Sequence, residues 1–243
     1  MTDEQFSQFI IQQKEKYGNI KPEETLLVSK NVDKNKWMQQ LENNITIPSK
    51  TKWEIFVSLY SHEKLSLMEI VRICNFIQPR DEISKLLRDM NERKLIDIAE
   101  KIQKGRVTII KYQLSNETKT KYFDLDYSKI GTASDISDVA KNAVEHYLKE
   151  GYFVSIAMQD FSKKDELRTD LIAYDYSNDI TISIEIESHS EVESHPEHVL
   201  LNMRKWKEMG FLQCHVWSTH KQIAEIKEKL DSTMYNNVKI FLV

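Results

Sequence analysis

Arg168-Thr-Asp-Leu-Ile-Ala-Tyr-Asp-Tyr176, a short polar turn, and then Asp179-Ile-Thr-Ile-Ser-Ile-Glu-Ile-Glu-Ser188 decide the fold of the second half of this chain. Ile180, Ile182, Ile184 and Ile186 alternate strictly, which is the two-residue period of a β-strand. Thr181, Ser183, Glu185 and Glu187 therefore fall on the other face. Thr169 to Tyr176 reads as the preceding strand, and a hairpin between the two brings Asp170 near Glu185 and Glu187. Clustered carboxylates repel one another and are costly to desolvate. Holding a divalent metal through oxygen ligands is a natural use for them. The competing explanation is plainer: acids on the exposed face of an edge strand keep it from pairing with other chains.

Outward from this hairpin, the segment 134–243 continues as alternating elements. A helix is expected over Ser137 to Lys149, with Val139, Ala143, Val144 and Tyr147 buried and Gly151 ending it. A strand follows from Tyr152. After the acidic strand come a helix from about Pro196 to Met209, a strand around Phe211 to Ser218, a helix from His220 to Leu230 and a strand from Val238.

The segment 50–123 has a different rhythm. Helices are expected over Lys52 to Tyr60, from Ser66 (with Glu69 as a capping box), and over Arg80 to Leu95 after Pro79. Two strand-like runs, Leu95 to Ala99 and Val107 to Leu114, then flank a basic turn, Glu100-Lys-Ile-Gln-Lys-Gly-Arg106, with Gly105 at its tip. The first segment, 1–49, reads as a helical arm with polar helices over Asp3 to Tyr17 and Asp33 to Asn43, suited to dimerisation or to packing back on its own domain.

With 5 Gly, 4 Pro, 40% hydrophobic and 30% charged residues, the chain has the composition of an ordered, soluble protein. No apolar run reaches the ~20 residues that span a bilayer, and the polar N-terminus lacks a signal peptide, so no membrane is expected. Cys74 and Cys214 sit in apolar contexts as reduced thiols, which points to a cytoplasmic, intracellular setting. The net charge of -4 is not that of a bulk nucleic-acid binder. The charge is uneven, however. Acids gather between Asp165 and Glu197, and bases between Arg80 and Arg106 and again from Arg204 to Lys207.

Three short helices followed by a hairpin with a basic tip resemble a winged helix-turn-helix domain, over about Lys50 to Ser115. That resemblance implies double-stranded DNA as partner, with the third helix in the major groove and the wing on the backbone. By position, Arg80, Ser84, Lys85, Arg88 and Asn91 are the groove-facing candidates, and Lys104 and Arg106 the wing candidates. Asp81, Glu82, Asp89 and Glu92 on the same helix oppose phosphate binding. A winged helix used for protein contacts is the alternative.

The order helix, three strands, helix, strand over roughly Ser134 to Ser218 resembles the core of the PD-(D/E)XK nuclease superfamily, and the acids fall where that family places its metal ligands. The expected fold is thus α+β / α/β with two domains: a winged helix followed by a restriction-endonuclease-like α/β core with a mixed central sheet. The resemblance implies Asp170 as the first acid and Glu185 as the second, with Mg²⁺ (or Mn²⁺) as cofactor. Two departures stand out: Glu187 occupies the family's lysine position, and Thr169 occupies the place of the usual proline. Some members add a metal-ligating Glu from the first helix, a role that falls to Glu145 here. Others take the missing cation from the second helix, where Arg204, Lys205 and Lys207 lie; Lys205 is the preferred substitute. Catalysis would then rest on Asp170, Glu185, Glu187 and Lys205. Many family members act as homodimers.

His189, His195 and His198 lie within ten residues and offer a competing zinc site, but their spacing matches no zinc motif, and the stretch reads as a loop entering a helix, with His195 beside Pro196. No Gly-rich phosphate loop is present, so no nucleotide cofactor is expected. Three functions remain: a metal-dependent DNA endonuclease, a DNA-binding regulator or assembly factor with a catalytically degenerate nuclease-like domain, and a protein-interaction module.

Overall fold

The computed structural model of the chain describes residues 47–156, 169–230, 232 and 235–243. The expected arm helices before residue 47 lie outside the described residues. The architecture is α+β, and its described residues divide into two compact units that meet in sequence at Asp126 and Tyr127.

The first unit holds α1 (Lys50–His62), β1 (Leu65–Ser66), α2 (Leu67–Cys74), α3 (Arg80–Glu92), β2 (Ile96–Lys104), β3 (Val107–Leu114) and α4 (Asn116–Tyr122). Its three strands form an antiparallel sheet in the order β1-β3-β2. The core comprises Trp53, Phe56, Leu59, Ile70, Ile83, Leu87, Met90 and Ile96, supplied by one face of each helix and the start of the hairpin. Ser66 and Glu69 form the expected capping box. The hairpin is longer than the apolar pattern suggests. Lys104 pairs with Val107, so only Gly105 and Arg106 make the turn, and Gly105 takes the positive φ of 61° that a two-residue turn needs. The polar run Glu100 to Lys104 belongs to β2, because a ribbon wet on both faces needs no alternation. Helix α4 escaped the sequence pattern altogether. Ser115 caps it by accepting from the Thr118 amide, and Phe123 just past its end stacks on Trp53 with ring centres 5.4 Å apart.

The second unit holds α5 (Ile136–Lys149), β4 (Phe153–Ile156), β5 (Leu171–Asp175), β6 (Ile180–Glu187), α6 (His189–Ser194), α7 (Pro196–Glu208), β7 (Gln213–Ser218), α8 (Ile223–Glu228) and β8 (Val238–Leu242). The strands form one mixed sheet in the order β4-β5-β6-β7-β8. The first three run antiparallel to their neighbours, and β6, β7 and β8 run parallel. The tight turn between β5 and β6 is fixed by Asp175, whose carboxylate accepts from the amides of Ser177 (2.8 Å) and Asn178 (3.3 Å). His189 to Ser194 is a helix, not the expected loop. Ser188 caps it by accepting from the Glu191 amide, a local signal that the histidines mask.

Two features position the site. First, β6 is the central strand, so the edge-strand explanation of its acids fails. Second, both faces of the sheet are covered. Glu185 is in register with Val216, and Glu187 with Ser218, on the face that receives side chains from α7. On the opposite face α5 delivers Tyr147 to β7, where a hydrogen-bond chain closes. Trp217 Nε1 donates to Tyr147 Oη (3.2 Å), which lies 2.6 Å from His215 Nδ1. The Tyr147 proton therefore goes to Nδ1, and His215 Nε2–H donates to Gln213 Oε1 at 3.2 Å. This leaves no place for a second imidazole proton. Burial, with the Lys239 and His146 charges, pulls His215 down to about 3 from its ordinary 6.5. A base so depressed adds stability that is full above pH 6.5 and is lost as pH falls toward 3. Thermal melts between these pH values should show His215→Gln losing less stability on acidification than the wild type. Parallel curves would show that His215 does not control this response.

Candidate active site

The site begins at Thr169, the residue before Asp170. It is buried, and its hydroxyl pins two strands together: Oγ1 donates to the Ile184 carbonyl (2.9 Å) and accepts from the Ile184 amide (3.1 Å), with Ser183 Oγ 2.9 Å away. Asp170 follows directly, just before β5. Its amide donates to Ile184 O (3.2 Å), and its Oδ2 accepts from the Ile186 amide (2.8 Å). These bonds set Asp170 across from Glu185.

Glu185 is fully buried and Glu187 nearly so. Asp170 keeps a partly exposed edge, although protein atoms surround it densely. Helix α7 supplies the partners. Asn202 Nδ2 donates to Glu187 Oε1 at 2.8 Å, and Lys205 Nζ donates to Asn202 Oδ1 at 2.9 Å. Asn202 and Lys205 are three residues apart, so they share one face of the helix. Lys205 Nζ also stands 2.8 Å from Glu185 Oε2. That contact is a buried ion pair at hydrogen-bond distance.

One ammonium among three carboxylates explains the protonation of the cluster. Burial pushes Glu185 up to about 8, against the pull of Lys205 and with the repulsion of Asp170 and Glu187 added. Burial likewise pushes Glu187 up to about 7, opposed by the Asn202 hydrogen bond. Asp170 is raised by burial too, with Lys205 and the Ile186 amide opposing. For Lys205, burial favours the neutral amine, but Glu185 and Asp170 outweigh it and hold the ammonium above its ordinary value. The lysine stays charged because it has several acids to face. The acids are raised because burial outweighs the one cation they share.

The structure thus brings Asp170, Glu185, Glu187 and Lys205 together. It does not bring Glu145 to them. Val144 and Tyr147 point inward from α5, Glu145 is exposed, and the helix covers the opposite face of the sheet. The α5 acid that reaches the end of β6 is Asp135, whose Oδ2 accepts from the His189 amide at 2.7 Å. The three histidines do not converge either. His198 Nδ1 contacts Glu191 (2.9 Å), His195 faces Glu197 (3.6 Å), and the His189 ring packs on His220. Sequence reasoning missed Asn202 and the strand-pinning role of the Thr169 hydroxyl.

Among the described residues no three His, Cys, Asp or Glu groups converge as a ready metal cage. Lys205, Asn202, the Ile186 amide and Ser183 engage oxygens of these carboxylates. Carboxylate oxygen is the donor type a hard divalent cation takes, although each of these three carboxylates already has at least one oxygen engaged.

In the first unit Arg80, Lys85 and Arg88 are exposed on α3, Ser84 and Asn91 are half-buried there, and Lys104 and Arg106 are exposed at the hairpin tip. Asp89, which should weaken this face, is engaged by Arg93 (2.8 Å) and Lys52 (3.7 Å). The sequence of residues 47–126 carries 15 Lys and Arg against 12 Asp and Glu, and that of 127–243 carries 13 against 19. The basic excess therefore belongs to the unit with α3 and the hairpin, and the acidic excess to the unit with the carboxylates.

Cys74 and Cys214 are both free thiols. No helix among the described residues is long and apolar enough to cross a membrane. No protein-family model matches the chain, and no curated protein is similar to it in sequence.

Proposed function

We propose that this chain is a metal-dependent DNA endonuclease: a winged-helix unit that grips duplex DNA, joined to a PD-(D/E)XK-like unit that hydrolyses a phosphodiester. A homodimer is part of the same proposal. The observation that carries it is Lys205 at 2.8 Å from Glu185, a cation from α7 standing in for the lysine that the strand lacks. Mg²⁺ or Mn²⁺, held by Asp170, Glu185 and the Ile186 carbonyl, would supply charge for the phosphate and acidify a water. The chain's own residues do the rest. Glu187, pushed up to about 7, suits a base that works near neutral pH. Its Asn202 partner fixes one oxygen and so aims the other. Lys205 offsets charge that builds on the phosphate. Burial of Glu185 and Glu187 keeps bulk water from weakening these interactions.

A second reading, a DNA-binding regulator with a degenerate nuclease fold, is favoured by the acids' being already engaged by Lys205 and Asn202. Plasmid cleavage with Mg²⁺ or Mn²⁺ separates the two. Asp170→Ala should abolish cleavage, a loss on the order of 10³-fold, while a gel shift on the same DNA persists. A wild-type chain that shifts DNA without ever cutting it would sink the nuclease and leave the regulator.

A further inference from the structure

We infer that the outer edge of β8 is the interface of the homodimer, pairing antiparallel with β8 of a second copy about a two-fold axis at Phe241. This rests on the homodimer of the reading above and gives it a surface.

The backbone comes first. β8 ends its sheet, and among the described residues no strand lies on its far side. Cys214 N–H donates to the Asn237 carbonyl and Val243 N–H to the Ser218 carbonyl, each at 3.2 Å. In a parallel ladder only every second residue of a strand bonds to a given neighbour. Asn237, Lys239, Phe241 and Val243 therefore turn their backbone groups toward β7, and Ile240 and Leu242 turn theirs outward.

Side chains point the same way. Edges that stay in water are commonly guarded by charge. β2, an edge of the other sheet, carries Asp97, Glu100, Lys101 and Lys104. β8 reads Val-Lys-Ile-Phe-Leu, with Lys239 as its one charge. Leu242 is 51% exposed and Val243 45%. Ile240, on the same face as Leu242, walls an open cavity with Ala224, Leu230 and Tyr235.

A second copy fits all of this at once. With Phe241 on the axis, Ile240 faces Leu242 of the second copy, and symmetry repeats the contact. The outward N–H and C=O groups of both residues are then all paired. An axis at Ile240 would leave the Leu242 carbonyl without a donor, because the Val238 N–H already bonds to the Tyr235 carbonyl. The exposed Leu242 comes to lie over Ile240 at the lip of the cavity. Lys239 meets Val243 of the second copy, so the one charge on the strand does not face itself. Lys227 and Glu228 flank the same cavity, so the surface beside the axis offers both signs to its own copy.

The test is sedimentation of the full chain over a concentration series, with hydrogen exchange of the segment 238–243 followed at each concentration. The expected result is a dimer whose Ile240 and Leu242 amides are protected and lose that protection on dilution to monomer. Ile240→Lys should raise the dissociation constant roughly tenfold or more. Ile240→Lys/Leu242→Glu should bring it back toward wild type, because each new lysine then faces a new glutamate. A double variant no tighter than the single would overturn the axis at Phe241. A dimer that Ile240→Lys leaves intact would overturn the edge and leave the homodimer standing. A monomeric wild type would overturn both, and DNA cleavage by that monomer would leave the nuclease. Protection that persists in a monomer would mean that the chain covers its own edge, and the inference fails. The exchange measurement uses the wild type, so it decides even where a variant does not fold.

Discussion

Lys205→Met lowers the stability of the metal-free chain by about 3–5 kcal/mol near pH 9, the range for removing one member of a buried pair, and by far less near pH 5. The difference comes from the acids left behind. At low pH they take up protons, and no unpaired charge remains. At high pH the folded chain must hold buried carboxylates with no cation. Glu185→Gln has the opposite sign. Glu185 is held at about 8, above its ordinary 4.5, so its contribution is full below pH 4.5 and is lost as pH rises through 8. A glutamine cannot ionise and escapes that loss. The variant should match the wild type near pH 5 and exceed it near pH 9, while losing divalent-metal affinity. Denaturant titrations of the three proteins at both pH values decide this. A Lys205→Met loss independent of pH would mean that the pair does not act through charge.

If the proposed DNA grip is right, the combined variant Arg80→Ala/Arg88→Ala/Arg106→Ala should weaken duplex DNA binding roughly 10²–10³-fold at moderate salt. It also flattens the salt dependence by about three units of log–log slope, near 0.9 for each phosphate contact. All three side chains are exposed, and none has a carboxylate partner among the described residues. The effect should be uniform across DNA sequences if the contacts are to phosphate, and uneven if α3 reads bases. Fluorescence anisotropy across a salt series measures both. An unchanged slope would place the DNA grip outside this face.

Much of the architecture is legible because it rests on local periods. The alternating isoleucines of β6 define a strand, and the apolar faces of α1, α3 and α5 define helices. The α+β class and the mixed sheet follow from element order. Helices α4 and α6 were missed for a common reason: each is only a few residues long, and its main signal is a capping serine, Ser115 or Ser188, rather than an apolar stripe. Glu145 was misplaced because it lies one residue from buried Val144 and two from buried Ala143 and Tyr147, spacings that turn it away from their face. The acid–lysine cluster is half legible. The acids announce themselves by sitting on a strand. Lys205 required the idea that a cation can arrive from another element. Asn202 has no sequence signature of its own, since an amide on a polar helix face is ordinary until the neighbouring strand is in view.

Thr169 has an evolutionary consequence. A proline before the acid would stiffen the chain with its ring, whereas this threonine holds the strands through a hydroxyl that needs Ser183 and the Ile184 backbone in register. The two solutions do not interconvert by one step. A lineage that adopts proline at 169 forfeits the hydroxyl, and Ser183 then becomes a buried polar group with one partner fewer. Residues 169 and 183 thus act as one hydrogen-bonded unit across the two strands, and changing either alone removes a partner from the other.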